Sequence, residues 1–298
     1  MPLTPALSPP AGGSPPADSP SPRKSAEREG AAPQAWEGEG LAGGAVAVLC
    51  AADPALKVAL SRAVAAGWQQ GRLPLGAAAP PPRPARPERP PLCPPREVKR
   101  RRNLAVPAGR VALLHALAHI ELNAIDLAWD IVARFTHQGL PGAFFDEWAG
   151  VAAEEAEHFA LLDARLTALG AAYGDLPAHD GLWEAAADTA HDLLARLAVV
   201  PLVLEARGLD VTPEMIGRLR RAGDADSAAI LERIYEDEIG HVAVGARWFA
   251  RLCRERGLEP AATFRDRVTR HFRGMLKPPF NVAARERAGL PGDFYAPV

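Results

Sequence analysis

The chain has 298 residues, with 34 Lys and Arg against 36 Asp and Glu and a net charge of −2. That balance excludes a protein that binds nucleic acid or a membrane along its whole surface. Cys50, Cys93 and Cys253 are odd in number and lack Cys-x-x-Cys spacing. They exclude a thiolate metal site and point to a reducing, cytoplasmic compartment. No basic-then-apolar start resembles a signal peptide, and no run reads as long and apolar enough to span a membrane.

Residues 1–100 hold 20 of the 30 prolines, and the first 48 are rich in Pro, Gly, Ala and Ser. Such a tract buries too little surface to offset its ordering entropy, so 1–48 reads as disordered. A short helix follows over Asp53–Gln70, with Asp53 as N-cap and Pro54 in the first turn. Residues 80–95 form an extended proline-rich arm, which completes a 49–102 segment together with the basic run Lys99–Arg102. Four charges in a row are a weak nucleic-acid signal and read first as a solvated start to the folded domain.

From residue 103 to 276 the periodicity is helical throughout, and the fold class expected is all-α. The expected helices are Gly109–His137, Phe144–Leu169, Leu182–Arg207 with a break at Gly208, and one from Asp224 or Asp226 to Arg256. A helical piece capped by Thr212 runs to Arg221, a fifth helix covers Pro260–Met275, and 277–298 reads as an irregular tail.

Six residues on apolar helical faces stand out. Glu121 and Glu205 are single acids among aliphatic neighbours; Glu155 with His158 and Glu238 with His241 are two Glu-x-x-His pairs. Glu121 and Glu155 are 34 residues apart and Glu205 and Glu238 are 33 apart, so each hairpin brings its two acids to similar heights. Burying four carboxylates without counter-charge costs several kcal/mol each, on the order of the desolvation of an unpaired ion, and two divalent cations would neutralise them. Imidazole with carboxylate suits iron, manganese or zinc. A Glu from each of two helices plus a Glu-x-x-His from each of two others is the ligand set of ferritin-like di-iron and di-manganese bundles. Six protein ligands for two ions leave coordination positions open for dioxygen or substrate. Tyr235, one turn before Glu238, is a candidate catalytic hydrogen-bond donor or radical site, against the plainer reading of a packed tyrosine. His115, His119, Asn123, Asp126 and Asp130 share another face of the first long helix. They read either as outer support for the metal ligands or as a polar interhelix stripe.

The blocks HALAHIELNAIDLAWD (115–130), EEAEHFALL (154–162), YGDLPAHDGLWEAA (173–186), EARGLDVTP (205–213), IYEDEIGHVAVGARWF (234–249) and KPPFNVAARERAG (277–289) resemble, in order and spacing, a family of uncharacterised bacterial ferritin-like proteins. The resemblance covers about residues 50–298. It implies a ferritin-like four-helix bundle with a di-metal centre on the six residues, and a distant similarity to the di-iron tRNA isopentenyl-adenosine hydroxylase. The function expected is a non-haem di-iron (or di-manganese) oxidoreductase, using dioxygen and an electron donor on a small-molecule or RNA substrate. An iron-handling ferroxidase and a metal-stabilised interaction module are the alternatives.

Overall fold

The computed structural model describes residues 39–95, 97–98 and 103–295, all within one unit, 33–298. The run Lys99–Arg102 and most of the tract read as disordered lie outside the described residues. The far end of that tract is corrected: Gly40–Cys50 is a helix, α1, with Leu41, Ala45, Val48 and Leu49 buried. Its small and aliphatic residues are buried all round, so it lacks the one-sided pattern by which a surface helix is read. Asp53 accepts from the Leu56 amide and caps α2 (Pro54–Gln69).

The all-α class is what forms; among the described residues there is no strand, only an isolated bridge between Leu92 and Ala178. The long helices are α3 (Pro107–Arg134), α4 (Gly142–Ala168) and α8 (Ala225–Glu255). α3 packs along α4, α4 against α8, and the α1–α2 hairpin covers α3 and α4. Asp224 starts α8 by accepting from the Ser227 amide, and Arg165 of α4 holds the same carboxylate at 2.7 Å. Contrary to the sequence expectation, α3 is long and apolar enough by composition to cross a membrane; 72% of its apolar window is buried inside the protein, where it serves as core.

The third expected helix is redrawn. α5 (Gly181–Asp188) ends in a turn, and Asp192 caps a new start by accepting from the Leu194 amide. From there α6 (Leu193–Val199), a π-helical segment (Val200–Glu205) and α7 (Ala206–Arg221) follow without interruption. Gly208 therefore breaks nothing, and Thr212 and Pro213 lie mid-helix. Proline lacks an amide proton, and the wider π turn holds the other one, Pro201. α8 comes so close here that a Cβ on Gly245 would sit 2.5 Å from that of Pro201. That close approach brings α8 onto the π segment one turn from His241.

α9 (Pro260–His271) precedes a tail that is not irregular throughout: α10 (Val282–Arg287) and α11 (Gly292–Tyr295) form in it. Buried Arg285 donates to both oxygens of Asp210 at 2.8 and 2.7 Å, with its guanidinium over the rings of Phe280 and Tyr295. This anchor joins residues 75 apart, which no local pattern announces.

Candidate metal centre

The face of α3 turned toward α1, α2 and the arm carries the secondary polar set. Asp126 receives the Lys57 ammonium at 2.6 Å and the Arg86 guanidinium at 2.6 Å; Asp130 receives Arg196 and Arg134. Arg86 also donates to Asn123, and the His119 ring bridges the Tyr173 hydroxyl and the His179 carbonyl. Burial drives the pKa of His119 down to about 4, so it is neutral. Arm and loop are pinned by these bonds together with Cys93 N to Ala178 O at 2.9 Å. The interhelix reading of His115, His119, Asn123, Asp126 and Asp130 holds: they seat the arm.

On the opposite side, Glu121, Glu155, His158 and Glu238 bring ligand atoms within 4.8 Å of one another, a group that can hold a metal ion. Glu155 lies between the two imidazoles. Its Oε2 is 3.5 Å from His158 Nδ1, and its Oε1 is 2.9 Å from His241 Nδ1. Glu121 stands 3.6 Å from His158 Nδ1, and Glu238 stands 3.6 Å from His241 Nδ1. These are ion-pair distances without hydrogen-bond geometry. Buried atoms of Glu121, Glu155, His158, Glu205, Glu238 and His241 all lack a hydrogen-bond partner. Orphaned buried polar atoms are rare, and half of those among the described residues come from the six residues singled out by sequence.

The far nitrogens of both histidines are held by acids that the sequence reading missed. His158 Nε2 lies 3.0 Å from Asp237 of α8, and His241 Nε2 lies 2.7 Å from Glu154 of α4. A carboxylate only accepts, so each Nε2 carries a proton, and a metal ion that displaces the Nδ1 proton would meet the Nδ1 lone pair of a ring already oriented toward the cluster. The signal was present: an acid directly precedes the Glu of each Glu-x-x-His, as Glu154-Glu155 and Asp237-Glu238, and each serves the histidine of the other helix.

Burial pushes the carboxyls of Glu121, Glu205 and Glu238 up, and the neighbouring carboxylates push the same way. Burial also opposes charge on Glu155 and on His158. Attraction to His241 and His158 wins at Glu155 and holds it well below the usual carboxylate range, and Glu121 with Glu155 holds His158 up at about 11. The metal-free cluster is thus a proton-filled site whose charges are only partly matched.

Glu205, on the π segment, is outside the four-residue group, but its carboxyl feels Glu238 and Glu155. Glu121, Glu205 and Glu238 line a cavity of about 240 Å³, walled by residues such as Leu117, Leu204, Met215 and Ile234. The Tyr235 hydroxyl accepts from Asn281 at 3.0 Å, which ties it to the docking of the tail. Arg207 pairs with Asp210 at 3.3 Å, and Asp210 is held more tightly by Arg285.

Fold and site together define an all-helical protein with a buried carboxylate–imidazole cluster able to hold a metal ion. The chain belongs to the family described as protein of unknown function (DUF455), whose model matches residues 50–296. It is 43% identical over 211 residues to an uncharacterized protein of Haemophilus influenzae, covering 68% of this chain and 72% of that one. No solved structure matches it.

Proposed function

We propose that this chain is a ferritin-like dinuclear metal-carboxylate protein, with iron as the resident metal (manganese the alternative), that oxidises or hydroxylates an organic substrate with dioxygen. The observation carrying this reading is the convergence of orphaned buried atoms from four glutamates and two histidines. Glu121 and His158 would hold one ion, Glu205, Glu238 and His241 the other, and the two oxygens of Glu155 face both sides. Two divalent cations against four carboxylates leave the core neutral. Bound iron would supply one-electron redox steps and open coordination positions for dioxygen.

The chain's own part is positional. Asp237 and Glu154 fix the rings of His158 and His241, and the core excludes water from behind Glu155. The cavity leads to Glu121, Glu205 and Glu238, the side on which a reactant can approach. Such an opening favours an oxidoreductase over simple iron handling, and its small enclosed volume favours a small molecule or a single side group over a folded RNA. Hydroxylating a C–H bond with one dioxygen consumes two electrons and two protons and yields water, so an electron donor is an obligatory partner.

The test is oxygen uptake. Protein loaded with ferrous iron under nitrogen is mixed with air-saturated buffer beside Glu155→Ala and Glu238→Ala. Rapid uptake by the wild type alone is expected. A wild type that takes up iron but consumes no oxygen overturns the redox reading.

A further inference from the structure

The walls of the cavity restrict what can enter it. Most of its lining is aliphatic, and Ile120, 39% exposed, brings that apolar surface out to solvent. At about 240 Å³ it exceeds the roughly 150 Å³ of a benzene-sized void and falls short of a drug-sized pocket of about 300 Å³ or more. Apart from the three carboxylates and Thr212, its polar lining is Arg207.

The Arg207 side chain is 40% exposed and also lines a second apolar cavity, walled by Phe272, Met275 and Phe280. Its Nη1 donates to the carbonyls of Lys277 and Pro279 at 2.8 and 3.3 Å and to Asp210 at 3.3 Å. Asp210 already accepts two bonds from Arg285 and one from the Asn281 amide. Among the described residues, Nη2 and Nε of Arg207 make no hydrogen bond, which leaves the forked edge that grips carboxylate or phosphate.

We propose that the cavity binds an alkyl chain bearing an anionic head group, with the head on Arg207 and the chain running inward to Glu121, Glu205 and Glu238. The inference rests on the metal-centre reading and adds the substrate class to it. Gly208 gives a clean probe. It lines the cavity, its helical backbone needs no glycine, and a Cβ built there meets nothing within 4 Å. Gly208→Leu therefore fills the void from a helix that tolerates leucine well.

The experiment titrates the full chain, loaded with redox-inert manganese(II), with octanoate, octyl phosphate and 1-octanol, and counts metal per chain in each variant. Octanoate or octyl phosphate is expected to bind at least tenfold more tightly than 1-octanol, and the better of the two names the head group. Arg207→Gln should remove that preference while leaving 1-octanol unchanged. Gly208→Leu should abolish binding of all three with metal content intact. Equal binding of octanoate and 1-octanol, undiminished binding of the anionic ligands by either variant, or no binding by metal-loaded wild type would each overturn the inference. A wild type that takes up no metal would instead break the metal-centre reading.

Discussion

Helix α3 buries acids and histidines on two faces, and the faces satisfy them in opposite ways. Toward α2 and the arm, Asp126 and Asp130 each meet two basic side chains, and the His119 nitrogens have protein partners. Toward α4 and α8, Glu121 groups with Glu155, His158 and Glu238, and His241 stands beside Glu155, with buried ligand atoms that lack hydrogen bonds. Residue type and burial are alike on both faces, so neither identifies function. Partners separate them: a closed network is a structural clamp, and an open one can hold an ion.

The largest expected effect is on the closed side. Asp130→Ala strands buried Arg196, which cannot escape by deprotonating, and should cost about 3–5 kcal/mol in urea unfolding with or without metal. The open side should respond with the reverse sign. Glu205→Leu removes a half-buried carboxyl with one buried, unpartnered oxygen, so the metal-free protein should gain about 1–3 kcal/mol in the same assay while losing metal. A loss of stability there would mean that Glu205 has a partner within the fold.

Acid–base behaviour sharpens the contrast. His158 keeps its proton to about pH 11 when folded and loses it near 6.5 when unfolded, so its contribution is present below 6.5 and lost as pH rises toward 11. The raised carboxyls of Glu121, Glu205 and Glu238 lose their contribution in the same direction, starting from the ordinary carboxylate range. Glu155, depressed, is fully ionised throughout and does not change between pH 6.5 and 9. The metal-free protein should therefore melt at lower temperature at pH 9 than at pH 6.5, and added manganese should narrow the gap. A flat melting temperature would contradict the proton-filled site. More modestly, Asp237→Asn and Glu154→Gln should weaken metal binding roughly 10–100-fold with the fold intact, as read by competition with a chelator.

Much of this was legible from local signals. The cap at Asp224 and the apolar periodicity located α3, α4 and α8 to within a few residues, and the Glu and Glu-x-x-His spacing picked out the residues whose buried atoms lack hydrogen bonds. Features set by distant contacts were not. The π segment packs through Pro201 against Gly245, 44 positions away, and the arm is held by Arg86 reaching Asp126. Gly208 reads as a helix end because glycine is a poor helix former, yet α7 continues through it. Glu154 and Asp237 lie on the outward side of their helices, where acids are ordinarily solvated, and only their place beside each Glu-x-x-His marks them.

Anaerobic equilibrium titration of metal-free protein with ferrous iron, or with manganese(II), tests the central claim most directly. Two ions per chain are expected, falling to one or none in Glu155→Ala, with Asp130→Asn retaining both if it folds. No specific uptake by a folded wild type, or uptake unchanged in Glu155→Ala, would contradict the account.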